Sequence, residues 1–193
     1  MSKESILAQI RKSKSPLVDL PILPEFDKQT GELTEQFKKS LIQVGGQAIE
    51  IGEGDIGEKI KELFGELKLT ACNDKTLNIS NIDTYAIKDP KELRDIDLAL
   101  LRCRFGVAEN GAVWLSDADL SHRVLPFIVQ HCILIIPKVG IVWNMHEAYQ
   151  KIKQDHYNGF GVFISGPSKT ADIEQSLVIG AHGPKSLTVF LTI

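Results

Sequence analysis

The chain is poor in the residues that hold metal clusters. Its three cysteines, Cys72, Cys103 and Cys132, are scattered and never spaced as CxxC. That odd set argues against an iron–sulfur cluster, a zinc ribbon or a disulfide scaffold built by this chain alone, and fits small buried thiols in a reducing compartment. The five histidines include no HxxxH or HExxH arrangement, so no metal site is expected. An excess of one charge is also lacking. Lys and Arg number 22 against 25 Asp and Glu, with no run of basic residues, which gives no reason to expect nucleic acid or an anionic membrane as partner. Long apolar runs are missing as well. The longest, residues 132–137, falls far short of a bilayer span. The opening MSKESILAQIRKSK has no long apolar core of a secretory signal, and a cytoplasmic protein is expected.

What is present is an ordinary globular balance, 43% hydrophobic and 24% charged, over 193 residues, enough for a sizeable core in one domain. Residues 2–13 predict a short amphipathic helix with Ile6, Leu7 and Ile10 as its stripe and Ser2 as cap. Pro16, Pro21 and Pro24 then enforce an extended connector. Phe37, Leu41 and Val44 predict a second helix from Thr34, closed by Gly45-Gly46. A strand over 48–51, a helix carrying Ile56, Ile60, Leu63 and Phe64, and a strand over 68–72 follow, the start of a parallel crossover sheet. Residues 73–93 are polar and irregular and read as an excursion. Apolar runs at 98–101 and 106–108 lead to Glu109-Asn110-Gly111, a tight-turn signal before the run 112–115. Residues 132–136 predict a buried strand, and Asn144-x-x-Glu147 resembles a capping box for a helix to about Gln154. The chain closes as strand, Gly-Pro turn, short helix (Ile173, Leu177 and Val178 on one face), Gly-His-Gly-Pro turn and strand.

Three places could carry chemistry. Gly161 and Gly166 have the spacing of a phosphate-binding loop, but Pro167 stands where that loop needs its Lys and has no N–H to donate. A nucleotide loop is thereby disfavoured. Gly166, Ser168, Lys169 and Thr170 remain candidates for binding a carboxylate or phosphate at a helix start, with Asp172 orienting Lys169 or capping the helix. The plainer alternative is a capping turn with a solvated Lys. Glu109, at a strand end held by a tight turn, is placed to act as base, nucleophile or ligand, or simply to face solvent. His182, between glycines, would contact a ligand or stabilise its turn. Trp114 and Trp143 are assigned to core packing.

The run GPSKTADIEQSLVIGAHGPKSLTVFL over 166–191 resembles the lactate-utilization family typified by LutC, also called YkgG, the LUD domain. That family closes with Gly-Pro-Ser-Arg/Lys-Thr-x-Asp-Ile-Glu, a Gly-x-His-Gly-Pro turn and a final strand. FGVAENGAVWL resembles its Ala-Glu-Thr-Gly-Thr segment and is followed by Leu125-Pro126. The resemblance is close over 94–193 and loose before it. Asn110 stands where the family has Thr, and Ala112 where a hydroxyl residue is usual, so two polar side chains beside Glu109 are changed.

The resemblance implies an α/β fold, a three-layer, mostly parallel sheet of the sugar-isomerase and CoA-transferase (NagB/RpiA/CoA-transferase-like) type with an N-terminal helical arm. We expect the arm over 1–30 and a single LUD domain over 31–193. The implied role is in oxidising L-lactate to pyruvate, as a cofactor-free component whose iron–sulfur clusters sit on partner oxidoreductase subunits. It would bind a small carboxylate or phosphate between Glu109-Asn110-Gly111 and the 166–172 turn, with His182 at the rim. A second resemblance, of Glu109-Asn110-Gly111 to the Ser-Glu-Asn-Gly motif of class I CoA-transferases, implies acyl transfer with Glu109 as nucleophile; Ala108 replaces the Ser. A stand-alone anion sensor is the third reading.

Overall fold

Alternation and burial together set the strands, and glycine placement ends the helices. The computed structural model describes residues 2–15, 18–19, 21, 32–155, 159–171 and 177–193. Asp172, Ile173, Pro16, Pro24 and His156 lie outside the described residues. Helix α1, Lys3–Lys12, starts where Ser2 Oγ accepts the N–H of Ser5 at 3.3 Å. Helix α2, Leu33–Gln43, buries Phe37, Ser40 and Leu41 on one face. It stops at Gly45, whose φ of +83° lets the chain reverse where a Cβ would be strained. Then come β1, Gln47–Ile51; α3, Ile56–Phe64; and β2, Thr70–Cys72. The polar excursion contains only short 3-10 turns before β3, Leu98–Arg102. A hairpin of β4, Phe105–Val107, and β5, Ala112–Ser116, follows. Next are the single-turn helix α4, Leu125–Ile128; β6, His131–Pro137; β7, Ile141–Val142; and α5, Met145–Gln154. The chain ends with β8, Gly161–Ile164; β9, Lys169–Ala171; β10, Leu177–Ile179; and β11, Ser186–Thr192.

Five strands make a wholly parallel sheet in the order β1-β11-β6-β3-β2. Its centre, β6, reads His-Cys-Ile-Leu-Ile-Ile-Pro and is buried from Cys132 to Ile136, the continuous apolar run expected of a strand covered on both faces. Ile60 and Ile56 of α3 meet Leu98, Leu100, Ile133, Ile135 and Phe190 on one face. Phe37 and Leu41 of α2 meet Ala99, Leu101, Leu134, Ile136, Val189 and Leu191 on the other. Beside α2 lies a second sheet, β7-β4-β5-β8, antiparallel except between β4 and β7. Val113 and Leu115 of this sheet join the α2 core, while Phe105, Val107 and Ala112 face Ala148 of α5. The layers are therefore α3, the parallel sheet, and α2 with the second sheet, which α5 covers outside. Gly106 permits the closest approach: a Cβ there would stand 2.7 Å from Ile136 Cδ1 and 2.9 Å from the Phe37 ring.

One expected element is replaced among the described residues. From Lys169 to Ala171 the segment after Gly166 is a strand, not a helix start. Lys169, Thr170 and Ala171 pair antiparallel with Ile179, Val178 and Leu177, so both flanks of the supposed helix are strands. The i, i+4, i+5 spacing of Ile173, Leu177 and Val178 suited a helix locally, but β-branched Thr170, Val178 and Ile179 suit an extended pair, and pairing prevails. The second sheet was likewise not foreseen. Its strands are short and its pairings join distant segments.

Charge bridges the layers at the far end of α2. Glu50 accepts from Lys38 at 2.6 Å and from Lys138 at 2.8 Å, tying β1 to α2 and to the turn after β6. Those hydrogen bonds, Lys138 first, hold the Glu50 carboxyl down to about 2. The folded value lies below the unfolded one, so this stabilisation is complete above the usual carboxylate range and is lost as pH falls through it towards 2. Glu50→Gln is expected to flatten the acid side of the stability profile between pH 4.5 and 2, read by thermal melts across pH. Truncating Phe37, which is 0% exposed, to Ala should cost about 3–5 kcal/mol in denaturant unfolding.

Candidate functional site

The polar residue on the buried face of α2 organises the site. Ser40 Oγ donates to the carbonyl of Ala108 at 2.7 Å and approaches that of Glu109 at 3.3 Å. The next residue, Leu41, supports Gly111, where a Cβ would lie 2.7 Å from the Leu41 backbone. Gly111 also takes a φ of +68°, so the hairpin needs glycine for both reasons. Asn110 Oδ1 accepts the N–H of Ala112 at 3.0 Å, and the N–H of Gly111 bonds the Val107 carbonyl at 2.9 Å. The Asn110 that departs from the family's Thr therefore serves as the turn's own internal acceptor.

The Glu109 side chain is exposed but engaged. Its Oε2 accepts the N–H of Met145 at 2.9 Å. Met145 is the first residue of α5, where N–H groups lack intrahelical partners and a carboxylate is favoured. The same helix start is closed by Asn144 Oδ1, which accepts from Glu147 N at 2.9 Å, and by Glu147 Oε2, which accepts from Trp143 N at 2.8 Å. Trp143 thus takes the place of the cap residue's own N–H in the expected capping box. Glu109 N in turn donates to the Trp143 carbonyl at 2.9 Å, completing a two-way bridge.

The Gly-Pro turn joins this hairpin directly. Ser165 Oγ donates to the Asn110 carbonyl at 2.7 Å. Gly166, with φ +78°, lies so close to α2 that a Cβ would stand 2.4 Å from the Val44 carbonyl oxygen. Pro167 is buried beside it. Ser168 belongs to the other motif: its N–H donates to Pro184 O at 3.0 Å and its carbonyl accepts from Gly180 N at 3.0 Å. A Cβ at Gly183 would come within 2.9 Å of Ser168 Cβ. The two glycine-rich turns therefore pack as one unit.

Lys169 is exposed on β9, with Nζ near Gly45 at the C-terminus of α2, where helix carbonyls favour a cation. Thr170 is half-buried opposite Val178, and His182 is exposed. Ser165, Gly166 and Asn110 are thus brought into one cluster around α2, and Ser168 joins the 180–184 turn. The Glu109 carboxylate is drawn instead to α5.

Two expectations about this cluster are corrected. No helix begins at Ser168–Lys169–Thr170, so its N–H groups are committed to a turn and to strand pairing and offer no helix-start anion cradle. The turns also lie beside the first residues of β1 and β11, the amino ends of the parallel strands. Ligands of open α/β sheets gather at the carboxyl ends. There the structure holds a charged network that sequence reasoning missed. Arg102, at the end of β3, donates Nε to Asp74 at 2.6 Å and bonds Glu53 with both terminal nitrogens at 2.8 and 3.0 Å. The Glu53 carboxyl is held low by Arg102, and that of Asp74 first by the Thr76 hydroxyl. A crevice of about 430 Å³ opens there beside Asn73, Tyr85 and Arg104. Its one sequence signal was Arg102 ending an otherwise apolar strand. Ser40, also missed, was legible as the polar residue between Phe37 and Leu41 on an apolar stripe.

Cys103 and Cys132 are buried, and burial pushes both thiols up, that of Cys132 to about 12. They stay protonated at neutral pH and do not suit metal ligation. Among the described residues, no three His, Cys, Asp or Glu side chains converge on a metal-sized centre. No helix among them is long and apolar enough to cross a membrane.

Gly166→Ala should lower stability by about 1–3 kcal/mol, because strain at positive φ adds to the clash with Val44. Glu109→Ala should cost about 0.5–2 kcal/mol through loss of the α5 cap, whereas Glu109→Gln, which keeps an acceptor oxygen, should cost less. Chemical denaturation of the pair separates capping from charge.

The comparisons agree with this geometry. The LUD domain family matches residues 34–192, nearly the whole described body. A lactate utilization protein C from Oceanobacillus iheyensis is 38% identical over 87 residues, covering 42% of this chain and 37% of that protein. The one from Shouchella clausii is 26% identical over 189 residues, covering 84% and 82%. Lactate utilization protein C 1 of Bacillus mycoides is 30% identical over 167 residues, covering 79% and 69%. A crystal structure of a DUF162 family protein from Deinococcus radiodurans superposes with a TM-score of 0.68 at 18% identity, covering 84% of this chain and 97% of that one, and shares the fold. With both motifs held on one helix and the match running through every core strand, the chain belongs to the LUD domain family, alongside the lactate utilization protein C sequences.

Proposed function

We propose that this chain is the LutC-type component of an L-lactate utilization system. It works beside iron–sulfur oxidoreductase subunits that carry the redox centres for oxidising lactate to pyruvate, and carries no cofactor itself. The observation that carries this reading is the family match over 34–192, together with relatives named lactate utilization protein C. The division of labour fits the cysteines: Cys103 and Cys132 are sealed in the core, and Cys72, which is half-buried, stands apart from them.

We further infer that the joined turns at 165–170 and 180–184 bind a small carboxylate or phosphate. Lys169 supplies the charge, Ser168 and Thr170 the hydroxyls, and His182 stands at the rim. Asn110 and Gly111 hold the neighbouring wall, and Asp172, outside the described residues, is the carboxylate proposed to orient Lys169.

Glu109 fits a positioning role better than a nucleophilic one. Acyl transfer would need its carboxylate free to attack a thioester, and one oxygen is bonded to the start of α5. The transfer reading is therefore second. Incubation with acyl-CoA should leave the mass of Glu109-containing peptides unchanged; a stable adduct would restore that reading.

Ligand-dependent thermal shift tests the binding surface. Lactate, pyruvate or inorganic phosphate at saturation should raise the melting temperature, and Lys169→Ala should abolish the rise while leaving the unliganded melt within a degree or so of the parent. No shift with any of the three would remove the binding surface from the account.

A further inference from the structure

Among the described residues, nothing of its own chain covers the apolar stripe of α1. Every described residue from Ser2 to Ser15 is exposed, and Ile6, Leu7 and Ile10 are 44%, 42% and 52% exposed. An isolated ten-residue helix is marginal in water, so α1 needs a surface to bury that stripe. Its polar side is basic. Residues 3–14 carry Lys3, Arg11, Lys12 and Lys14 against Glu4 alone.

A groove of matching character lies between α3 and the excursion after β2. It has a volume of about 960 Å³, and Leu67, Leu77 and Ile79 give it an apolar floor. These three are only partly buried by the α3 core. One wall is nearly free of side chains: at Gly54, Gly57 and Gly65 a Cβ would meet nothing within 4 Å, so another helix can approach the backbone closely. The charged lining is Glu58, Glu66 and Lys61. Glu53 and Glu62 are already paired, with Arg102 and Lys59, which leaves Glu58 and Glu66 against Lys61 on the groove itself. The arm thus carries a net positive charge and the groove lining a net negative one, and each presents apolar side chains that its own chain leaves partly uncovered.

We propose that α1 of a second copy of this chain seats in this groove, its Ile6, Leu7 and Ile10 on Leu67, Leu77 and Ile79 and its Arg11 and Lys12 toward Glu58 and Glu66. The exchange is reciprocal, so two arms and two grooves close a twofold dimer in which the same pair of surfaces is used twice. Complementary charge sets the arm's direction, and the apolar contact supplies most of the affinity. The contact leaves the 165–170 and 180–184 turns uncovered, so it is independent of the ligand surface above.

Sedimentation equilibrium of the full chain over a concentration series tests this. A reversible monomer–dimer equilibrium is expected. Leu7→Asp, at an exposed position that no core contact uses, should weaken the dimer by about 10- to 100-fold, the scale of one buried leucine. Reversing the groove charges (Glu58→Lys with Glu66→Lys) should weaken it several-fold, and adding Arg11→Glu with Lys12→Glu should restore it. A Leu7→Cys, Ile79→Cys chain should form its disulfide between copies. A strictly monomeric chain, a dimer indifferent to Leu7→Asp, or a disulfide closed within one chain would each overturn the proposal. So would vesicles of anionic lipid that capture the arm while leaving the self-association of the chain unchanged.

Discussion

One buried hydroxyl, that of Ser40, fixes the relation between the two sheets. Phe37 and Leu41 alone would anchor α2 to the parallel sheet, as apolar stripes do in any layered fold. Ser40 adds direction: by donating to the Ala108 carbonyl it sets where the β4–β5 hairpin turns over the helix, and so where Glu109 emerges. Removing such a donor leaves the carbonyl of a buried residue without its partner, which costs more than the bond itself contributes. The Glu109 turn, the start of α5 and the Gly-Pro turn all take their position from this helix.

The architecture separates two polar regions that composition does not distinguish. The glycine-rich turns sit at the amino ends of β1 and β11, packed by close backbone approach and committed to one another. The Arg102–Glu53–Asp74 network sits at the carboxyl ends, where it ties β3 to the turns after β1 and β2. Three carboxylate contacts leave little of the Arg102 fork unused, and the arrangement reads as a clamp across the carboxyl end of the sheet. A chain that kept both regions for binding would need free donors at each. Here the turns that carry the family's motifs present Lys169 and His182 to solvent, and the proposed ligand surface is built on them.

Much of the fold could be read from the residues because local signals and tertiary demands coincide. Phe37, Leu41 and Gly45 mark α2, Ile56 and Ile60 mark α3, the buried run of β6 marks the sheet centre, and Asn144 with Glu147 marks α5. Each is a short-range pattern that packing reinforces. The reading failed where a non-local partner decided the outcome. Thr170 pairs with Val178, so the helical spacing that counted on Leu177 and Val178 carried no weight against strand pairing. The second sheet depends on β8 reaching β5, nearly fifty residues earlier, a pairing that no periodicity within either strand announces. At the site, Glu109, Asn110 and Gly111 were legible as a constrained turn. That the carboxylate would serve α5 was not, because the bond joins residues 36 apart.

As proposed, this chain is a working part of lactate oxidation and supplies no redox centre of its own. Reconstitution tests it most directly: lactate-dependent reduction of an artificial acceptor by purified iron–sulfur subunits, with and without this chain. Turnover that requires the chain, with no iron or acid-labile sulfide found on it, is the expected result. Full turnover without it, or a cluster bound to it, would contradict the account.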